Sequence, residues 1–385
     1  MSPEFIDLDQ NATTPLDPSA LEAMRPYWLR GGNPESRHAL GRQSRRGLIA
    51  ATEAVARTLN AHPDEVVFTS GGTEANNLAI FGLAGGGGRI VATAMEHPAV
   101  AEPLAWLEGR GWDVRRVPIG SDGVADAAIM ADSLDGSTQL STLILAHNET
   151  GAIQPVGALS ALAAARGIPV HTDAVQAVGR IPVDFRGLGV STLAASAHKF
   201  HGPAGVGLLL VRRGVKLSPH TLGGGQQGGI RPGTVPVALC VGLASALESW
   251  SAARESRVAR WVQLRDRLEA GIIGALGPGR VVRHGPSDDS RRLPQTLHLG
   301  FPGLDGDALL MGLDLAGVGA SLGSACASGS SRPSPTLAAM GAPAETLRST
   351  VRFSLGAGTT AGEVEEAVRR VAEVVRRLAS GPGSV

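Results

Sequence analysis

Between residues 65 and 211 short apolar runs alternate with alanine-rich stretches of helical period. This alternation constrains the fold more than any other feature of the chain. Val66–Thr69 reads as a strand, as do 89–94, 142–146 and 168–172, while 156–166 reads as an intervening helix. Strands joined through helices pair in parallel, so the pattern predicts a mostly parallel α/β sheet that binds ligands beyond the carboxyl ends of its strands. After residue 250 the texture changes. Val258, Trp261, Leu264, Leu268 and Ile272 mark an amphipathic helix, and 296–299 reads as a strand. Val364, Ala367, Val368, Val371, Val375 and Leu378 form one face of a C-terminal helix. Glu365–Arg369, Glu366–Arg370 and Glu373–Arg377 are expected to pair on its exposed side. The expected organisation is a large α/β domain and a smaller α+β domain, joined near residues 240–255.

Composition narrows the function classes. Lys plus Arg is 35 and Asp plus Glu is 35 in 385 residues, so the balance is neutral and argues against direct nucleic-acid binding. No apolar run reaches the roughly 18 residues of a membrane span, and the N-terminus has neither the basic start nor the apolar core of a secretory signal. Cys240 and Cys326 are too few for a disulfide framework or a four-cysteine zinc site. A globular, cytoplasmic protein with no metal and no membrane contact is expected.

Of the 35 basic side chains only Lys199 and Lys216 are lysine. A chain that otherwise uses arginine retains lysine either as a residue of codon bias or where an amine must lose its proton. Lys199 follows an apolar run in Ser196-Ala197-His198-Lys199 and precedes a glycine-rich hairpin at 205–211. Asp173 ends a second run in His171-Thr172-Asp173. In isolation that aspartate reads as a helix cap. Together, a lysine and a carboxylate at adjacent strand ends form the protein side of a pyridoxal phosphate site: the amine forms a Schiff base and the carboxylate faces the pyridine nitrogen. Val66–Thr69 runs into Ser70-Gly71-Gly72-Thr73-Glu74 and a helical stretch, so Gly72 and Thr73 open a helix N-terminus able to cradle phosphate. His97 follows another strand and reads either as a structural hydrogen bonder or as a ring laid over the cofactor.

These motifs resemble the cysteine desulfurases, fold-type I pyridoxal phosphate enzymes of the aminotransferase class V group. The resemblance runs from Leu8-Asp9-Gln10-Asn11-Ala12-Thr13-Thr14-Pro15 to Val351-Arg352-Phe353-Ser354-Leu355-Gly356. Between them lie Gly32-Asn33-Pro34-Glu35-Ser36-Arg37-His38, Glu96-His97, Asn148-Glu149-Thr150-Gly151, Arg231-Pro232-Gly233-Thr234 and Gly323-Ser324-Ala325-Cys326. The resemblance implies a large domain with a mostly parallel seven-stranded sheet over 16–245 and a small α+β domain over 246–385 that carries a catalytic cysteine loop. Residues 1–15 would pack with the small domain. It implies Lys199 as the Schiff-base lysine, Asp173 as the pyridinium partner, His97 stacked on the ring and Gln176 at the phenolic oxygen. Asn148 would sit beside cofactor or substrate. Gly72, Thr73, Ser196 and His198 would hold the phosphate, joined by Thr234 from the other subunit of a homodimer. Arg352 and Asn33 would bind the substrate carboxylate, and Cys326 would accept the sulfur of L-cysteine as a persulfide for a sulfur-acceptor protein.

Cys326 lies in a run of small residues with little to pin it, which suits a sulfur carrier, whereas Cys240 sits in an apolar segment and reads as a core thiol. Selenocysteine or cystine lyases, other class V aminotransferases and a non-enzymatic sulfur-transfer scaffold are the rival readings. A thiol in a mobile loop counts against a transaminase, and the presence of both Lys199 and Asp173 counts against a scaffold. Iron–sulfur assembly, tRNA thiolation, cofactor synthesis and DNA phosphorothioation all begin from the same persulfide. Two positions depart from the family pattern: Gln227, where an acid is common, and Leu322, where serine is frequent.

Overall fold

The computed structural model describes residues 5–322 and 334–380. Its strands are β1 (Ile6–Asp7), β2 (Val66–Thr69), β3 (Arg89–Thr93), β4 (Asp113–Val117), β5 (Thr138–Thr142), β6 (Val170–Asp173), β7 (Thr192–Ser196), β8 (Gly207–Val211), β9 (Val282–Arg283), β10 (Thr296–Gly300), β11 (Val318–Gly319) and β12 (Thr350–Ser354). Seven of them form one sheet in the order β2-β8-β7-β6-β5-β3-β4. Only β8 runs against the others, so the remaining six present their carboxyl ends on one side. Strands such as β7 and β8 are buried at every position because helices cover both faces, which is why they read as unbroken apolar or small-residue runs. Helix Gly72–Leu83 lies close on the sheet: Ala75 and Ala79 share a buried cluster with Ala194 and Leu209.

The expected strand at 142–146 is a correction. The paired strand is Thr138–Thr142, and the apolar residues after it leave the regular ladder while keeping bonds from Leu143 N to His171 O (3.2 Å) and Leu145 N to Asp173 O (2.8 Å). Apolarity at 143–146 records burial, whereas the start of the ladder is fixed by β3, with Arg89 opposite Thr138 and Ile90 opposite Leu140; β6 pairs only Ser141 and Thr142. The surface of helix Ala361–Ala379 also differs in part. Glu366 bonds Arg370 as expected, but Arg369 bonds Glu366 and Glu373, and Glu365 reaches across to Arg267.

The region expected to join two domains is a single helix, Val237–Leu276, of 40 residues and about 60 Å. Cys240, Leu243, Leu247 and Trp250 from its first half belong to the core under the large sheet. Trp261, Leu264, Leu268 and Ile272 from its second half belong to a separate core with Leu297, Val351, Phe353 and Val371. That second core contains the antiparallel sheet β12-β10-β9, and also Ile6 and Leu8 beside the parallel pair β1–β11. We propose that these two cores are the two domains, with the long helix shared between them. No helix among the described residues is long and apolar enough to cross a membrane.

Candidate active site

Carboxyl ends of the large sheet open on a cavity of about 230 Å³. The end of β6 delivers Asp173, and Gln176 follows it. The end of β7 delivers Ser196, and a 3-10 turn, Ala197–Lys199, then presents His198 and Lys199. Beyond β2 the helix Gly72–Leu83 contributes Gly72, Thr73 and Asn76. Beyond β3, His97 caps helix Pro98–Glu108, its Nδ1 accepting from Ala99 N at 3.1 Å. Asn148 and Ile144 come from the segment after β5. Arg352 enters from β12 of the small-domain sheet, and Asn11 from the N-terminal segment. Ten of the expected site residues therefore line one cavity, drawn from positions 72 to 352.

The walls are fixed by a dense set of hydrogen bonds. Asp173 is buried; its Oδ2 accepts from Asn76 Nδ2 (2.7 Å) and its Oδ1 from Val175 N (2.9 Å). Lys199 Nζ donates to the carbonyls of Asn11 (2.8 Å) and Ala12 (2.7 Å). Asn11 is the hub of the site. Its amide nitrogen donates to Asn148 O and Thr296 Oγ1, its Oδ1 accepts from Arg180 and Gln295, and its carbonyl also accepts from Gln176 Nε2. One asparagine thus ties both cores to the segment between them. Arg180, fully desolvated, donates to Asn11 Oδ1, Gln10 O and the carbonyl of Lys199 itself, and burial pulls its guanidinium down to about 9. Arg352 NH2 is held by Asp9 (2.6 Å) and NH1 by Asn148 O (3.2 Å), while its Nε has no partner.

Burial dominates the electrostatics. It pushes the carboxyl of Glu96 up to about 7, and the nearby Asp173 adds to the shift. Glu96 Oε1 accepts from Thr93 and Ile144 N, and Oε2 has no partner. His198 is lowered to about 4 by burial and then by the charges of Lys199 and Arg180. His147 and His171 are each lowered to about 3 by burial, so these three rings are neutral at physiological pH. Burial raises the carboxyl of Glu149.

Other expected residues lie elsewhere. Asn33 is exposed in the turn before helix Ala39–Thr58, where its Oδ1 accepts from Glu35 N, and Thr234 is exposed on the loop before the long helix; neither lines the cavity of its own chain. Cys326 lies outside the described residues. The positions flanking that segment are anchored beside the cavity: Ser321 bridges Arg352, and Ser334 Oγ donates to Glu149 (2.6 Å), next to Asn148. Cys240 is buried in the large core, and desolvation raises its thiol to about 12. Gln227 covers the edge of β2. Its side chain accepts from Phe68 N (2.6 Å) and donates to Phe68 O (2.9 Å), a double role that a glutamate here could not fill while ionised.

Sequence reasoning passed over Asn76 and Arg180 and gave Asn11 and Glu96 no role. Spacing held a signal for Asn76, which stands one helical turn after Thr73 and so shares its face. Arg180 and Glu96 carried no local signal of their roles, because burial of a charged residue is not written in its neighbours.

The sequence pattern of the aminotransferase class-V family matches residues 6–367. The chain belongs to the aminotransferase class-V family. Among class-V relatives, the chain is 41% identical over 380 residues to an "IscS-like cysteine desulfurase" of Mycobacterium tuberculosis, covering 96% of each chain. It superimposes on a solved structure titled "NIFS-LIKE PROTEIN" with a TM-score of 0.90 at 32% identity, covering 97% of this chain and 100% of that one. It also superimposes on one titled "SspA in complex with cysteine" with a TM-score of 0.79 at 31% identity, covering 91% and 98%.

Proposed function

We propose that this class-V protein is a cysteine desulfurase that takes the sulfur of L-cysteine, leaves L-alanine, and carries the sulfur as a persulfide on Cys326 to a sulfur-acceptor protein. The observation that carries the reading is the meeting of Lys199, Asp173 and Arg352 at one cavity, whose wall residues Arg352 and Asn148 adjoin the anchors on both sides of the Cys326 segment. The relatives' names support it.

The residues present fit pyridoxal 5'-phosphate. Gly71 caps helix Gly72–Leu83 without a side-chain bond, so first-turn N–H groups are available for a phosphate, with Thr73 and Ser196 beside them. A Cβ on Gly72 would fall 2.6 Å from Val175 Cγ2, so only glycine lets the helix start this close to the cavity. Asp173 is the buried carboxylate a pyridine nitrogen needs, and His97 lines the wall for a ring. When bound, the cofactor supplies the electron sink that makes the substrate's α-proton acidic and its carbon–sulfur bond labile.

In this reading the protein's own groups divide the work. Arg352 binds the substrate carboxylate through donors that Asp9 leaves unused. The Lys199 amine removes the α-proton. The Cys326 thiolate then attacks the substrate sulfur, so that an S–S bond forms as the Cβ–S bond breaks and the electron pair returns to the carbon skeleton. Thr234, exposed and away from its own cavity, is proposed to complete the phosphate site of a second copy in a homodimer.

The test separates the two reactive groups. Lys199→Arg keeps the charge but stays protonated, and is expected to abolish the visible absorbance of the bound cofactor together with activity. Cys326→Ala is expected to retain that absorbance, to carry no added sulfur by mass spectrometry, and to release alanine at least about a hundredfold more slowly, the loss of a group acting in the transition state. Wild-type alanine release from Cys326→Ala would make the protein a lyase that expels sulfide directly. Cys240→Ala serves as the control, with turnover intact.

A further inference from the structure

Asp173 is reached by a chain of side chains that the reaction as described does not use. Asn76 Nδ2 lies 2.7 Å from Asp173 Oδ2, Asn76 Oδ1 lies 2.9 Å from His171 Nε2, and His171 Nδ1 lies 2.9 Å from Thr192 Oγ1. Asn76, His171 and Thr192 are each wholly buried. His171 and Asp173 occupy alternate positions of β6 and so share a face, and Thr192 stands opposite His171 in the register of β6 and β7.

Chemistry fixes the direction of every bond in this chain. A carboxylate only accepts, so the nitrogen of the Asn76 amide must face Asp173, which leaves Oδ1 toward His171. His171 Nε2 must then carry the proton. Burial keeps that ring neutral far below neutral pH, so Nδ1 is the acceptor and the Thr192 hydroxyl donates to it. Three successive donors therefore point one way, from Thr192 to Asp173, and each polarises the next. A second oxygen of Asp173 is held by Val175 N, leaving one lone pair on each oxygen for the cavity that Asp173 lines.

We propose that Asn76, His171 and Thr192 are positioning residues that aim the Asp173 carboxylate at a protonated ring nitrogen, and so set the protein's preference for a pyridinium over a neutral aromatic ring. The proposal rests on the cofactor reading above. Apolar residues would fill the same volume between helix and sheet; a polar chain whose every member is satisfied, and whose last acceptor lines the cavity, implies a role beyond filling.

The experiment compares two ligands on the full-length apoprotein: pyridoxal 5'-phosphate, and its analogue in which CH replaces the ring nitrogen. Binding is followed by absorbance and by quenching of tryptophan fluorescence. Wild type is expected to bind the natural cofactor at least about tenfold more tightly, the worth of one charge-assisted hydrogen bond. Asn76→Ala and His171→Leu are expected to erase about tenfold of that preference while leaving affinity for the analogue within about twofold. Thr192→Val, isosteric and at the far end of the chain, is expected to lose only about twofold, and keeps the test available if the inner variants do not fold. His171→Gln, whose amide can still donate to Asn76, is expected to keep most of the preference. Equal weakening of both ligands, with the preference intact, would make the chain mere packing and overturn the proposal. A wild type that binds neither ligand would overturn the cofactor reading itself.

Discussion

Replacing Glu96 by glutamine should stabilise the protein, and by an amount that depends on pH. The carboxyl is fully desolvated, one oxygen has no partner, and its folded-state pKa of about 7 lies above the ordinary 4.5. A carboxyl whose pKa is raised on folding contributes its full stability below the unfolded value and loses it as pH rises through the folded value. The window here is therefore pH 4.5 to 7. From those two values the ionisable residue costs almost nothing below pH 4, about 2 kcal/mol at pH 6 and about 3 kcal/mol at pH 8 relative to its neutral isostere. Glutamine keeps the oxygen that accepts from Thr93 and Ile144 and never ionises. Urea denaturation of wild type and Glu96→Gln at matched protein and cofactor concentrations, from pH 4 to 8.5, measures the difference directly. Contributions common to both proteins, such as proton uptake by unfolded His147 and His171 below pH 6.5, cancel. The curves should coincide at pH 4 and diverge to a plateau above pH 7. Parallel curves would mean that Glu96 is solvated or paired in the native protein, and that burial beside Asp173 does not raise its carboxyl.

Gln227→Glu should cost about 1–3 kcal/mol at pH 7, because an ionised carboxylate cannot donate to Phe68 O and would face it; protonation below about pH 4 should restore much of the loss. Thermal denaturation at the two pH values checks the sign. The proposed homodimer should sediment as a single species at micromolar concentration, and Thr234→Ala should weaken cofactor binding by about threefold to tenfold with the dimer intact. A monomer that holds cofactor as well as wild type would remove Thr234 from the site.

The candidate site was legible wherever its residues are marked by local features. Lys199 and Asp173 could be read because a strand end and a chemically distinctive residue coincide within a few positions, and the scarcity of lysine drew attention to one of them. Gly72 and Thr73 followed from a strand, a glycine turn and a helix start. The strand that begins at residue 138 was misread because its regular ladder is mostly polar and its continuation, which keeps two bonds to β6, is apolar, so hydrophobicity marked the wrong end.

By itself, the sequence determined the alternation that demands a mostly parallel sheet and the placing of Asp173 and Lys199 at the ends of two of its strands. These are properties of residue type and short-range periodicity. Tertiary structure decided the rest. It brought Asp9 to Arg352 across 343 positions, made Asn11 the tie between the two cores, and buried Arg180 among carbonyls. It also left Glu96 desolvated beside Asp173 and carried a hydrogen-bonded chain from Thr192 to the cavity. The physical reason is the same in each case: protonation state and hydrogen-bond direction depend on which groups lose their water together, and that is set by packing between segments far apart in the chain.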